Sequence, residues 1–309
     1  MNYKKIVLFN FLGIVLVFIA IEIISFLIVP KELADYMKKA DKGELSIVYA
    51  RTVFFDYKNH IHHFRPVNKD KTQKRPIIFF GCSYTYGSGL STPQTLPFKI
   101  TELSGRTSYN RAIPGSGVQH MFYDLQQKEL YEEVPDAEFI IYTFIYDHLR
   151  RMYDYKLSPF TNYNNQFDAN IRYEIKNGEL KQIKPRFIDF YSLYSVVKIQ
   201  NYIKNKKFSK NQDDVNNLFL TTLKESKKIT DKKYPNSKFI VILYKDGGQS
   251  TLDADVIKKI QAMGIIVIDP EKLINKKLKA KPYRLNDEEH PSEQAWNEIA
   301  PKLVKTLKL

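Results

Sequence analysis

Three side chains in this sequence have the types and spacing for covalent catalysis. Ser83 lies in the stretch Phe79 to Gly87, FFGCSYTYG, and Asp287 and His290 lie far downstream in LNDEEHPSEQAW. A serine hydroxyl becomes a nucleophile when an imidazole takes its proton. The imidazole serves best when a carboxylate on its other ring nitrogen fixes the tautomer and stabilises the cation. Asp287 and His290 are three residues apart, so one bent loop can aim both at the same serine. Taken singly, each has a plainer reading: a serine in a Gly-rich loop is a turn former, and an acid near a histidine is a solvated helix start.

The elements that must position these groups are legible as apolar runs. Four runs recur: IIFFG at Ile77, EFIIYTFIY at Glu138, KFIVILY at Lys238 and GIIVID at Gly264, with a weaker fifth, TSYNRAI, at Thr107. Continuous rather than alternating apolar residues mark strands buried on both faces, as in a parallel sheet covered by helices. Helical stretches separate them, at Leu96 to Leu103, Val118 to Leu130, Asp253 to Met263 and Ser292 to Leu307. The expected fold is therefore a three-layer α/β/α sandwich on a doubly wound parallel sheet with right-handed crossovers. Ligands of such sheets sit beyond the carboxyl ends of the strands, and Ser83 follows the first strand directly.

An interval of about 150–235 breaks the alternation and reads as an insertion. It holds Asn177-Gly178 between two short strand-like runs, a hairpin signal. Two helices are expected after it, near Phe190 to Ile203 and Asp213 to Lys228.

With Ser83, Asp287 and His290 on this frame, the chain resembles the SGNH (GDSL-like) hydrolase superfamily, whose fold is flavodoxin-like. FFGCSYTYGSGL is similar to its first block, with Gly-Cys-Ser in place of Gly-Asp-Ser. YNRAIPGSGVQH is similar to its second block and DEEHPS to its terminal Asp-x-x-His block. The order matches from about Arg75 to the C-terminus. The resemblance implies Ser83 as nucleophile, His290 as base and Asp287 as its orienting acid. It also implies an oxyanion hole built from the backbone N–H groups of Ser83 and Gly115. The third block departs from the family, which has Gly-x-Asn-Asp with the Asn as a further donor; this chain has TFIYDHLRR. Either His148 (or Asp147) stands in that place, or Asp147 and Arg150 organise the loop while backbone groups serve the oxyanion. The resemblance also turns Cys82 into a replacement for the family's Asp rather than a second nucleophile. As the lone cysteine it forms no intramolecular disulfide and leaves the redox compartment open.

Ahead of this region, residues 1–29 contain the run from Ile6 to Val29, IVLFNFLGIVLVFIAIEIISFLIV, long enough to cross a bilayer core of about 30 Å. No small-residue cleavage site follows it, so an uncleaved transmembrane anchor is expected. Lys4 and Lys5 precede it and Lys31, Lys38, Lys39 and Lys42 follow it, which leaves charge counting undecided. A long following domain translocates largely regardless of charge, so residues 75–309 are placed outside the cytoplasm, in the periplasm or at the cell surface. Residues 30–74 form a stem. Its His60, His62 and His63 lack nearby Cys or a helical His-x-x-x-His pair, so they read as surface residues and no metal or cofactor is expected.

At 43% hydrophobic residues the chain can bury a substantial core. The net charge of +14 comes mostly from lysines scattered among acids, without a zinc-finger or RNA-recognition signature, so nucleic acid is not the expected partner. The expectation is a membrane-anchored serine esterase that removes or transfers O-acyl groups, most simply acetyl, on envelope glycans. The competing expectation is an inactive SGNH-like module that binds glycan or scaffolds other proteins.

Overall fold

The computed structural model of the protein describes residues 11–13, 15–17, 19–20, 74–152, 171–183, 212–245, 252–279, 281–286 and 290–309. The apolar runs form the five parallel strands β1 (Ile77–Phe80), β2 (Ser108–Asn110), β3 (Phe139–Phe144), β6 (Lys238–Leu243) and β7 (Ile266–Ile268). They pair in the order β2-β1-β3-β6-β7. The chain runs outward from β1 to β2, then jumps back across β1 to β3, where Phe80 lies beside Tyr142. That reversal makes the crevice beyond the ends of β1 and β3 the switch point at which doubly wound sheets bind ligands.

Every residue of β1 and of β3 is buried, which explains why these strands read as unbroken apolar runs. Alternate side chains feed two cores. On one face Ile77, Phe79 and Ile141 meet Leu96 and Ile100 of helix α2 (Leu96–Ser104) and Trp296, Ile299 and Leu303 of helix α9 (Glu293–Leu307). On the other, Ile78, Phe80, Ile140 and Tyr142 meet four helices: α3 (Val118–Asp124), α4 (Lys128–Glu133), α6 (Gln212–Lys233) and α7 (Ala254–Ala262). The short helices α1 (Ser83–Tyr86), α5 (Asp147–Arg151) and α8 (Pro270–Ile274) follow β1, β3 and β7. This is the expected three-layer arrangement.

Within the interval 150–235 the hairpin is present as antiparallel strands β4 (Tyr173–Lys176) and β5 (Glu179–Gln182). Asn177 and Gly178 turn it with φ of 54° and 79°, the left-handed pair that an Asn-Gly turn supplies at low cost. Helix α6, which the sequence assigned to the insertion, instead covers the sheet: Val215, Leu218, Phe219 and Leu223 lie in the same core as Ile140 and Val241. It is the crossover helix that leads into β6. The expected helix near Phe190 to Ile203 lies outside the described residues.

At the N-terminus, residues 11–13, 15–17 and 19–20 are helical, and Phe11, Leu12, Leu16, Val17 and Ile19 are exposed. Among the described residues no helix is long and apolar enough to cross a membrane. Most of the run Ile6 to Val29 lies outside the described residues, as does the stem as far as residue 73 with His60, His62 and His63.

Candidate active site

Leaving β1, the backbone turns sharply at Gly81, whose φ is 150°. A Cβ there would stand 2.4 Å from Thr85 Oγ1 and 3.3 Å from the Thr143 carbonyl, so only glycine lets the loop lie this close to β3. The turn delivers Ser83 to the first position of α1. Ser83 N–H therefore has no intrahelical acceptor.

The β2–α3 loop is laced to this turn. Asn110 Nδ2 donates to the Thr85 carbonyl at 3.2 Å, Ile113 N–H donates to the Gly81 carbonyl at 3.1 Å, and Ser116 Oγ donates to the same carbonyl at 2.6 Å. Pro114 and Gly115 form the corner, closed by Ser116 N–H on the Ile113 carbonyl at 3.0 Å. Gly115 at φ 82° fits the third position of a type II turn. It is exposed.

From the far end of the chain, a two-stranded bridge between Arg284 and Pro291 presents His290. Leu285 N–H donates to the His290 carbonyl at 2.9 Å and Ser292 N–H to the Tyr283 carbonyl at 3.0 Å. Ser292 then caps α9, accepting from Ala295 N–H. Buried Arg284 anchors the bridge through Nε on the Leu278 carbonyl at 2.6 Å and through Nη2 on the Lys245 carbonyl. The outcome is direct: His290 Nε2 lies 2.9 Å from Ser83 Oγ, across 207 residues of sequence. Both residues are largely buried, with 8% and 6% of their surface exposed. That distance suits proton transfer from hydroxyl to imidazole. Asp287 lies outside the described residues.

The third block is arranged differently from one of the two alternatives read in the sequence. His148 is fully buried. Its Nδ1 is 2.5 Å from the Tyr142 hydroxyl, and its Nε2 is enclosed without a hydrogen-bond partner among the described residues. No substrate atom reaches it in this conformation, so His148 is not a donor at the site mouth. Burial, with the Arg151 guanidinium nearby, holds its pKa well below the ordinary value and keeps it neutral. Asp147 is no donor either, because its carboxylate accepts from Arg150 Nε at 2.6 Å and Arg151 Nε at 2.7 Å. It ties together the two arginines of its own helical turn.

Arg151 was missed in the sequence, although an acid and a base four apart after a strand signal a paired helical turn. Its Nη1 donates to the Ser116 carbonyl at 2.8 Å, and the Cys82 side chain lies beside it. Gln119 Nε2 donates to the Arg151 carbonyl at 3.1 Å. Beside them, His120 lines a small cavity with Gly81, Ser116 and Gly117. Its Nδ1 accepts from Gly117 N–H at 3.1 Å. Burial and then the Arg151 charge bring its pKa down to about 4. Among the described residues no group of His, Cys, Asp and Glu is placed to hold a metal ion.

No family model and no curated protein matches this chain. Solved structures do match. One is a member of the lipolytic protein G-D-S-L family from Veillonella parvula DSM 2008, at 14% identity and a TM-score of 0.40, over 76% of this chain and 99% of that one. Another is the acetyl xylan esterase Est2A from Butyrivibrio proteoclasticus, at 11% identity and a TM-score of 0.40, over 78% of this chain and 65% of that one. A third is an extracellular lipase from Streptomyces rimosus, at 14% identity and a TM-score of 0.41, over 75% of this chain and 99% of that one.

Proposed function

We propose that the protein is a serine esterase of SGNH type. The single observation that carries this reading is the 2.9 Å approach of His290 Nε2 to Ser83 Oγ beyond the carboxyl end of β1. In the reaction, Ser83 Oγ attacks an ester carbonyl while His290 Nε2 accepts its proton. The N–H groups of Ser83 and Gly115 receive the negative oxygen of the tetrahedral intermediate. Losing one such donor typically slows acyl transfer about 100- to 1000-fold. His290 then returns the proton to the departing alcohol, leaving an acyl-serine. Water, deprotonated by the same imidazole, releases the acid and restores the enzyme. Asp287 orients His290 in this scheme.

The apolar run Ile6 to Val29 supports an N-terminal anchor with the hydrolase domain on the extracytoplasmic side. O-acetyl groups on envelope glycans are then the substrate class within reach. With a sugar hydroxyl in place of water, the same residues transfer the acyl group rather than hydrolyse it. Labelling the full-length protein with a fluorophosphonate probe tests the reading: wild type labels and Ser83→Ala does not. Equal labelling of the two, or none of either, would sink it. Turnover of an acetyl donor with and without a glycan acceptor then separates hydrolysis from transfer.

A further inference from the structure

We propose that Arg151 is the positioning residue of this site, holding the two backbone donors of the oxyanion hole at their working separation. The inference rests on the esterase reading above. Ser83 N–H belongs to the β1–α1 loop and Gly115 N–H to the β2–α3 loop, and the two loops meet through the bonds of Ile113 N–H and Ser116 Oγ to the Gly81 carbonyl. The guanidinium of Arg151 touches the residue next to each. It donates to the carbonyl of Ser116, which follows Gly115, at 2.8 Å, and the side chain of Cys82, which precedes Ser83, lies beside it.

The guanidinium is itself held by Asp147, and the backbone of Arg151 is held separately. Its Nε is held by Asp147 Oδ2 at 2.7 Å, and the other oxygen of Asp147 is held by Arg150. The backbone carbonyl of Arg151 takes the Gln119 carboxamide. That carboxamide fits because residue 117 is glycine: a Cβ there would stand 2.6 Å from Gln119 Oε1. The Arg151 side chain is 12% exposed, so water competes weakly for these contacts.

Three loops, from the ends of β1, β2 and β3, therefore converge on one planar cation. A guanidinium presents several donors in a rigid fork, whereas a lysine ammonium is a flexible point charge that cannot hold the same divergent acceptors. Arg151 touches no substrate in this arrangement and acts through the loops. Misplacing a catalytic donor by about 1 Å costs on the order of 100-fold in rate, so the effect falls on acylation rather than on ester binding.

The test uses the full-length protein in detergent, with p-nitrophenyl acetate turnover and the rate of fluorophosphonate labelling as readouts. Arg151→Met is expected to lower both kcat and the labelling rate about 100-fold with KM little changed. Arg151→Lys is expected to recover only a small part of the loss. Ethylguanidinium added to Arg151→Ala is expected to raise its rate and to leave wild type unchanged. Wild-type kcat in Arg151→Met or in Arg151→Lys overturns the proposal, as does a loss that appears in KM alone. Should Arg151→Met fail to unfold cooperatively, Arg151→Lys and Asp147→Asn decide, the latter expected to fall between wild type and Arg151→Lys. Absence of any difference between wild type and Ser83→Ala is a separate result that removes the esterase reading itself.

Discussion

The ring of Tyr84 packs against the ring of His290, with centroids 5.3 Å apart and planes inclined by 49°. The residue directly after the proposed nucleophile thus backs the proposed base. Tyr84 also lies edge-on to Tyr244 at 5.4 Å, and the Arg284 guanidinium sits over both rings. His290 is held from behind by this stack as well as by the bridge that carries it. Tyr84→Phe keeps the ring and is expected to retain most of kcat. Tyr84→Ala empties a buried site and is expected to cost about 3–5 kcal/mol of stability, with a fall in kcat that exceeds any change in KM. Urea unfolding and steady-state kinetics on the two variants check this, and equal behaviour of Phe and Ala would refute it.

Gly81→Ala tests the turn that delivers Ser83. Its φ of 150° is a region L side chains avoid, and strain of that kind costs about 1–3 kcal/mol. The new methyl also meets Thr85 Oγ1 at 2.4 Å. A loss of stability above that range is expected, with labelling of Ser83 slowed because Ser116 and Ile113 both anchor to the Gly81 carbonyl. Adding Thr85→Ala removes the closest clash and is expected to restore part of the stability. The thermal midpoints of the single and double variants decide, and no recovery in the double variant counts against the close-approach explanation.

Much of this arrangement is legible in the sequence because burial leaves a simple trace. Ile77 to Phe80 is apolar throughout, and Phe139 to Phe144 is apolar but for Thr143, because helices cover both faces of the sheet. Asn177-Gly178 announces its hairpin because few other pairs accept two left-handed residues. Helix α6 is less legible. Its buried face mixes Thr222, Ser226 and Thr230 with Val215, Phe219 and Leu223, so its apolar stripe is diluted, and it sits in a Tyr-, Asn- and Lys-rich interval. Thr222 and Thr230 return their hydroxyls to backbone carbonyls four residues back, which makes them tolerable in a core. The burial of His148 and the bond from Arg151 to the Ser116 carbonyl are tertiary facts that no local spacing encodes.

Acid sensitivity follows from the two neutral histidines beneath the loops. His120 titrates near pH 4 in the fold against 6.5 in the unfolded chain, and His148 is shifted in the same direction. Between those values the unfolded chain binds the proton and the folded protein does not. Stability is therefore full above about pH 6.5 and declines as pH falls towards 4, by about 1.4 kcal/mol per pH unit for each group. Glu271, Glu293 and Glu298, all lowered from 4.5, add their losses only at the acid end. Urea midpoints at pH 7.5, 6 and 5 should fall in that order. His120→Gln should flatten the decline, since Gln carries no titrating ring, and an unchanged slope would show that His120 charges freely in the fold.

Cys82 provides the sharpest separation between a serine and a thiol mechanism. It is fully buried and forms no disulfide, and its side chain lies beside the Arg151 guanidinium. A thiol enclosed in this way presents no sulfur to an ester. Iodoacetamide is therefore expected to leave the turnover of the folded protein intact and to modify Cys82 only after urea is added. Cys82→Ala removes one heavy atom from a buried site, a cost of about 1 kcal/mol. It should keep Ser83-dependent fluorophosphonate labelling, with a modest slowing as Arg151 loses one contact. Inactivation of the folded protein by iodoacetamide, or abolished labelling in a stably folded Cys82→Ala, would transfer the nucleophile from Ser83 to Cys82. The 2.9 Å between His290 Nε2 and Ser83 Oγ is the reason neither is expected.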